Sequence, residues 1–174
     1  MKKLLYLLFA TTILLNSCAK DTFYLEAGED TEGEGGTSLT SLEGTKWKIK
    51  SLVLGQEING LKSEADLFLI AEACNKDDLI LFNKGGIFIY DEGPTKCDVD
   101  DPQQETGKWS LSADKKKLNL ASGSLNNSDE MVSYDFSGTA NQISLTMKET
   151  VNMNVGGENI NTIIYSVFTF TAVK

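Results

Sequence analysis

The chain of 174 residues has no arginine and no histidine, and those two absences exclude a good deal. Without histidine there is no Ser/His/Asp or Cys/His relay, no imidazole zinc site and no side chain that ordinarily titrates near neutrality. Without arginine there is no planar fork to clamp a carboxylate or phosphate. Positive charge is in short supply overall: 16 lysines face 25 acids, for a net charge of -9. Such a chain is repelled by the phosphate backbone that dominates nucleic-acid affinity, so no nucleic-acid partner is expected. There is no glycine-rich phosphate loop, and no pair of carboxylates stands out as a general acid and base. The sequence therefore reads as non-enzymatic, with no cofactor and no metal site, and its length allows one modest domain.

What is present begins at the amino terminus. Met1, Lys2 and Lys3 precede an apolar run from Leu4 to Leu15, too short to span a bilayer and typical of a secretory signal. Leu15-Asn16-Ser17-Cys18 resembles the lipobox of bacterial lipoproteins. The resemblance implies a signal peptide over 1–17 and a mature chain that starts at a lipidated Cys18 and is held on a membrane by it. Two or more acyl chains anchor stably where one does not. Loss of Lys2 and Lys3 takes the mature charge to -11. Residues 18–43 hold seven acids (Asp21, Glu26, Glu29, Asp30, Glu32, Glu34 and Glu43) against Lys20 alone, interspersed with glycines and without apolar periodicity. They read as an acidic, flexible tether. Asp21 resembles in position the acidic export signals of some surface lipoproteins, so the expected location is the bacterial outer membrane, on either its periplasmic or its outer face.

From Gly44 to Lys174 the pattern changes to period two. Trp47, Ile49 and Val53 alternate with Lys46, Lys48 and Lys50, and seven further strand segments follow at 78–82, 86–90, 106–111, 116–120, 131–136, 142–152 and 159–173. Most connections are short and carry turn-forming residues, as in Asn83-Lys84-Gly85-Gly86 and Gly156-Gly157. This is an all-β pattern, and eight consecutive antiparallel strands can close into an up-and-down barrel. Leu67, Ile70, Ala71 and Cys74 at i, i+3, i+4 and i+7 predict one short helix between strands one and two, with Ser63 as N-cap. The loop 91–105 holds both prolines, Pro94 and Pro102, and reads as ordered. Asp91, Glu92, Asp98, Asp100, Asp101 and Glu105 crowd that loop, but their spacing is not that of an EF-hand, and they read as a solvated acidic surface. Lys115, Lys116 and Lys117 at a hairpin turn read as protection against edge pairing.

A turn centred on Lys84 and Gly85 pairs 82 with 87 and 79 with 90, which sets Cys74 opposite position 95. Cys97 lies two residues away, just beyond the strands, so a Cys74–Cys97 disulfide is predicted. Neither cysteine has the CxxC spacing of a redox pair.

Gly44-Thr45-Lys46-Trp47, Cys74 before Asp77-Asp78, Ile80-Leu81-Phe82 with its glycine turn, Cys97, and Gly107-Lys108-Trp109 together resemble the lipocalin-like domains of bacterial lipoproteins. The resemblance implies an eight-stranded calycin-type barrel, often with a small apolar ligand in its cup. Gly44 stands three residues before Trp47 rather than two, and the arginine that packs on that tryptophan in lipocalins has no counterpart here. Alternation sends Trp47, Ile49, Val53, Phe82, Phe88, Tyr90, Trp109, Leu111, Leu118, Leu120, Val132, Tyr134, Phe136, Ile143, Leu145 and Met147 inward. Such a barrel is either filled by its own side chains or holds one small ligand. In the second case Trp47, Phe88, Tyr90, Trp109 and Tyr134 are the ligand-binding candidates, the two tyrosines offering hydroxyls. Two functions follow: non-catalytic binding of a small apolar or amphipathic ligand, or an interaction module with a filled core whose rim loops bind an envelope protein or a glycan.

Overall fold

A computed structural model describes residues 42–126 and 128–174. The signal segment, Cys18 and nearly all of the tether lie outside the described residues. Nine strands form one antiparallel sheet: β1 (Lys46–Ile58), β2 (Leu61–Asp66), β3 (Leu79–Asn83), β4 (Ile87–Asp91), β5 (Gln104–Leu111), β6 (Lys117–Ser122), β7 (Ser128–Gly138), β8 (Gln142–Val155) and β9 (Glu158–Ala172). Strands β3 to β9 follow one another in order, and β1 closes the sheet by pairing with both β3 and β9. The expected eight-stranded barrel is therefore present, with β2 as an additional strand.

That extra strand stands in place of the predicted helix. Asn59 and Gly60 both have positive φ, 51° and 80°, and turn the chain so that Ile58 faces Leu61. An Asn-Gly pair is the preferred two-residue hairpin turn because both positions need a left-handed backbone. The hairpin uses Leu61–Asp66 in pairing with Val53–Ile58, and only two 3-10 turns, Leu67–Ile70 and Ala73–Lys76, remain. Asp66 caps the first by accepting from Phe68 N, and extended backbone at Ala71 and Glu72 separates the two. Ile70, assigned to the buried stripe of that helix, is 83% exposed.

Two register details correct the sequence reading. Phe82 pairs with Phe88 and Leu79 with Asp91, one residue later than expected, because the turn contains Lys84, Gly85 and Gly86, the two glycines both at positive φ. A bulge between Ile49 and Ser51 then inserts one residue into β1, so that Leu52 and Leu54 face the same side as Phe168 and Ser166. Val53 is thereby turned off the inner face.

The core comprises Leu42, Trp47, Ile80, Phe82, Phe88, Tyr90, Trp109, Leu118, Leu120, Tyr134, Phe136, Ile143, Leu145 and Phe170. Ile49, Leu111, Val132 and Phe168 pack against it. Met147, expected inside, is 44% exposed because β8 runs past the barrel wall: β7 pairs with β8 only as far as Thr146. The core also begins earlier than Gly44. Leu42 is buried, Glu43 bridges to Phe82, and the Trp47 indole donates to Leu42 O at 3.4 Å.

Candidate functional site

The five aromatic candidates sit together inside the barrel. Trp47, Phe88, Tyr90, Trp109 and Tyr134 are all 7% exposed or less and belong to one apolar cluster. Phe82 packs against Phe88 and, edge-on, against Trp109, with ring centroids 5.5 and 5.3 Å apart. The Trp109 indole donates to Asn83 O at 2.9 Å, and its backbone N–H donates to Gly86 O at 2.9 Å. Tyr134 meets Phe168 edge-on at 6.4 Å, and Phe168 stacks on Phe170. These contacts pack the aromatic side chains against one another inside the barrel.

Toward the end of the barrel opposite the Lys84–Gly86 turn, the inward positions become polar. Asp78 and Glu92 flank the last β3–β4 pair, Leu79 with Asp91, and are 1% and 5% exposed. The Tyr90 hydroxyl donates to Asp78 Oδ2. Burial pushes the Asp78 carboxyl up to about 6; the tyrosine bond opposes this, and the nearby Glu92, Asp77 and Asp91 add to it. Burial and the same hydrogen bond raise the Tyr90 phenol. Asp91, one residue before Glu92, behaves differently. Burial raises its carboxyl, but Gln104, Gln103 and Gly93 N all donate to it and hold it below the usual range. Glu92 corrects the reading of the whole loop as a solvated acidic surface: Asp98, Asp100 and Asp101 are exposed, whereas Glu92 is interior. Period two could have found this pair, since Asp78 is in phase with Ile80 and Phe82, and Glu92 with Phe88 and Tyr90.

The predicted disulfide joins Cys74 and Cys97. Glu72 lies 3.7 Å from Cys74 Sγ, but both sulfurs are used by the bond, so this cluster offers no thiolate to a metal. The bond ties the second 3-10 turn to the loop that follows β4. Thr95 N donates to Asp77 at 3.0 Å, and Gly93, at φ +68°, folds tightly onto Asp77 O, so the loop is laced back over the β3 entry.

Two outer surfaces are also available. Beyond the wall, the inner face of β1, β9 and β8 continues as a sheet. Its cross-strand pairs are Leu54–Ser166, Gln56–Ile164 and Ile58–Thr162 on one side of β9, and Met147–Ser166, Glu149–Ile164, Val151–Thr162 and Met153–Ile160 on the other, so that one exposed carboxylate stands among the apolar positions. Met147, Met153 and Ile164 are 44%, 38% and 47% exposed. Thr162 and Ser166 are buried on the same face, and no hydrogen-bond partner for their hydroxyls lies among the described residues. On the outside wall, Gly85, Gly86, Ile87, Gly107, Lys108 and Met131 line a shallow groove of about 550 Å³.

Comparisons with known protein families, with curated proteins and with solved structures returned no match.

Proposed function

We propose that this chain is a lipid-anchored lipoprotein of the bacterial outer membrane, of lipocalin-like type, that binds a small apolar or amphipathic molecule without catalysis. The observation that carries the reading is the inner face of β1, β8 and β9 beyond the barrel wall. There Met147, Met153 and Ile164 are exposed, with Glu149 opposite Ile164, over a floor holding the hydroxyls of Thr162 and Ser166, which have no hydrogen-bond partner among the described residues. Apolar contact area with a few fixed polar atoms is the composition of a small-molecule site. The aromatic residues first nominated, Trp47, Phe88, Tyr90, Trp109 and Tyr134, then form the rigid floor of the barrel and not the ligand contact.

The test is titration of the oxidised protein with a fluorescent fatty-acid analogue. Saturable binding is expected, with Met147→Lys and Ile164→Lys each weakening it at least about tenfold by placing a charge against an apolar chain. Absence of saturable binding, or binding indifferent to both substitutions, overturns the reading. A second reading then takes its place: an interaction module with a filled core whose rim loop docks a partner protein or a glycan. The loop residue Val99, 83% exposed between Asp98 and Asp100, favours it.

A further inference from the structure

A strand with a neighbour on one side only presents a row of unused N–H and C=O groups, and such an edge is a template for another strand. The barrel hides its edges by closure, but the sheet that runs beyond its wall does not. There β2, β1, β9 and β8 lie side by side, so β2 and β8 are the outer strands. β7 leaves β8 at the Asp135–Thr146 pair and continues against β6, while β8 goes on to Val155 paired with β9 alone. The direction of its backbone groups follows from two bonds at the near end of the strand. Ala172 N donates to Asn141 O, on the β9 side, and Thr139 N donates to Gln142 O, on the β7 side. The alternation of an antiparallel ladder carries this along β8, so the N–H and C=O groups of Lys148, Thr150, Asn152 and Asn154 point away from β9 into the open edge. No backbone partner for them lies among the described residues. Met147 to Asn154 are exposed, apart from the half-buried Val151.

We propose that two copies of this chain associate through this edge, β8 against β8 of the second copy, antiparallel and related by a two-fold axis at Val151. The two outer strands differ in what guards them. β2 is short and sets Lys62, Glu64 and Asp66 at every second position, the usual protection of an edge. The open part of β8 is longer and holds only two charges, Lys148 and Glu149, on opposite faces. Backbone direction selects the pairing, because bonded pairs must join residues of the outward set. The register centred on Val151 joins Lys148 to Asn154 and Thr150 to Asn152 in both directions, leaving none of that set unused. The side chains accept it. Lys148 meets Asn154, Glu149 meets Met153 and Val151 meets its own counterpart, so the destabilising opposition of like charges does not arise. The antiparallel sense also sets the two barrels at opposite ends of the shared sheet, which keeps two acidic bodies apart. An isologous contact of this kind closes on itself and stops at two copies. The pairing goes beyond the apolar binding reading and does not rest on it, because backbone groups carry it and not the side chains of Met147 and Ile164.

Sedimentation equilibrium of the oxidised full chain, carrying Cys18→Ser so that position 18 offers neither lipid nor thiol, tests the proposal. A monomer–dimer equilibrium that follows protein concentration is expected, with no larger species. Thr150→Pro removes an outward N–H and leaves the β8–β9 bonds in place. It should weaken the dimer at least about tenfold, since proline is tolerated on an edge and blocks addition to it. Opposed positions that lie between the bonded pairs approach most closely, within reach of a disulfide. Val151→Cys should therefore link two copies with oxidised glutathione as the oxidant, whereas Ala65→Cys on β2 should not. A chain that sediments as a monomer at every concentration overturns the proposal. So does a dimer indifferent to Thr150→Pro, or one linked through Ala65→Cys and not through Val151→Cys. If Thr150→Pro lowers the melting temperature of the monomer itself, the crosslink decides alone.

Discussion

Gly107 on β5 lies so close to the β6 backbone that a Cβ on it would sit 2.0 Å from the Ala121 carbonyl oxygen. Ala121 is at the point where β6 shifts register between Leu120 and Ser122, and the missing side chain lets the two strands converge there. Because the obstructing atom is backbone, relief requires the strands to separate. Gly107→Ala is expected to cost about 3 kcal/mol, the upper range for overpacking, and chemical denaturation measures it. A loss below half a kilocalorie would mean that the approach is not tight in solution.

The Asp78 carboxyl gives the protein a pH dependence of calculable sign. Folded, it titrates at about 6 against an ordinary 3.8, so the folded state holds this proton more tightly than the unfolded chain between those values. Its contribution to stability is absent above about pH 6 and grows as the pH falls toward 4. The size is on the order of 2 kcal/mol. Asp91 contributes in the opposite sense, since its lowered carboxyl loses stabilisation as the pH falls. The difference between wild type and Asp78→Asn therefore isolates the effect. Melting curves from pH 7 to pH 4.5 should show the wild type gaining on the variant; parallel curves would place Asp78 in water.

Cys74 and Cys97 close a loop with a sequence separation of 23. On the chain-entropy account, Cys97→Ser should lower stability by about 3 kcal/mol. Because that account acts through the unfolded state, hydrogen exchange should show the loss in every strand whose amides exchange by global unfolding, β6 to β9 included. Loss confined to the 92–103 loop and the second 3-10 turn would instead make the bond a local clip.

If Cys18 carries the lipid that holds the protein on the membrane, Cys18→Ala moves it from the membrane fraction to the soluble one. Unchanged retention on membranes, assayed by fractionation and mass of the mature amino terminus, would dismiss the anchor.

The barrel was legible because period two is a local signal: each strand announces its own wet and dry faces, and the hairpins join neighbours in sequence order. What escaped was set by single residues. Asn59-Gly60 turned a segment with helical spacing into a strand, and one inserted residue near Lys50 reversed the faces of the rest of β1. A third glycine-turn residue moved the β3–β4 register by one, yet the disulfide survived, since both cysteines lie beyond the paired strands. Of the candidate residues, the interior aromatics were found by alternation, but alternation alone does not distinguish a filled interior from a cup. Asp78 and Glu92 are in phase with the core, but acids are ordinarily exposed, so residue type and period point in opposite directions there. Met147 and Ile164 lie where strands outrun their neighbours, which depends on strand lengths that no local pattern fixes.

The chain's approach to the barrel brings part of the barrel with it. Leu42 is buried, supplies the acceptor for the Trp47 indole and leads into the Glu43–Phe82 bridge. A boundary drawn at Gly44, where the composition shifts, would cut away a piece of the core while removing only two described residues. The portable cassette, the piece that could be grafted onto another anchor or fused behind another leader and still fold, starts upstream of that leucine.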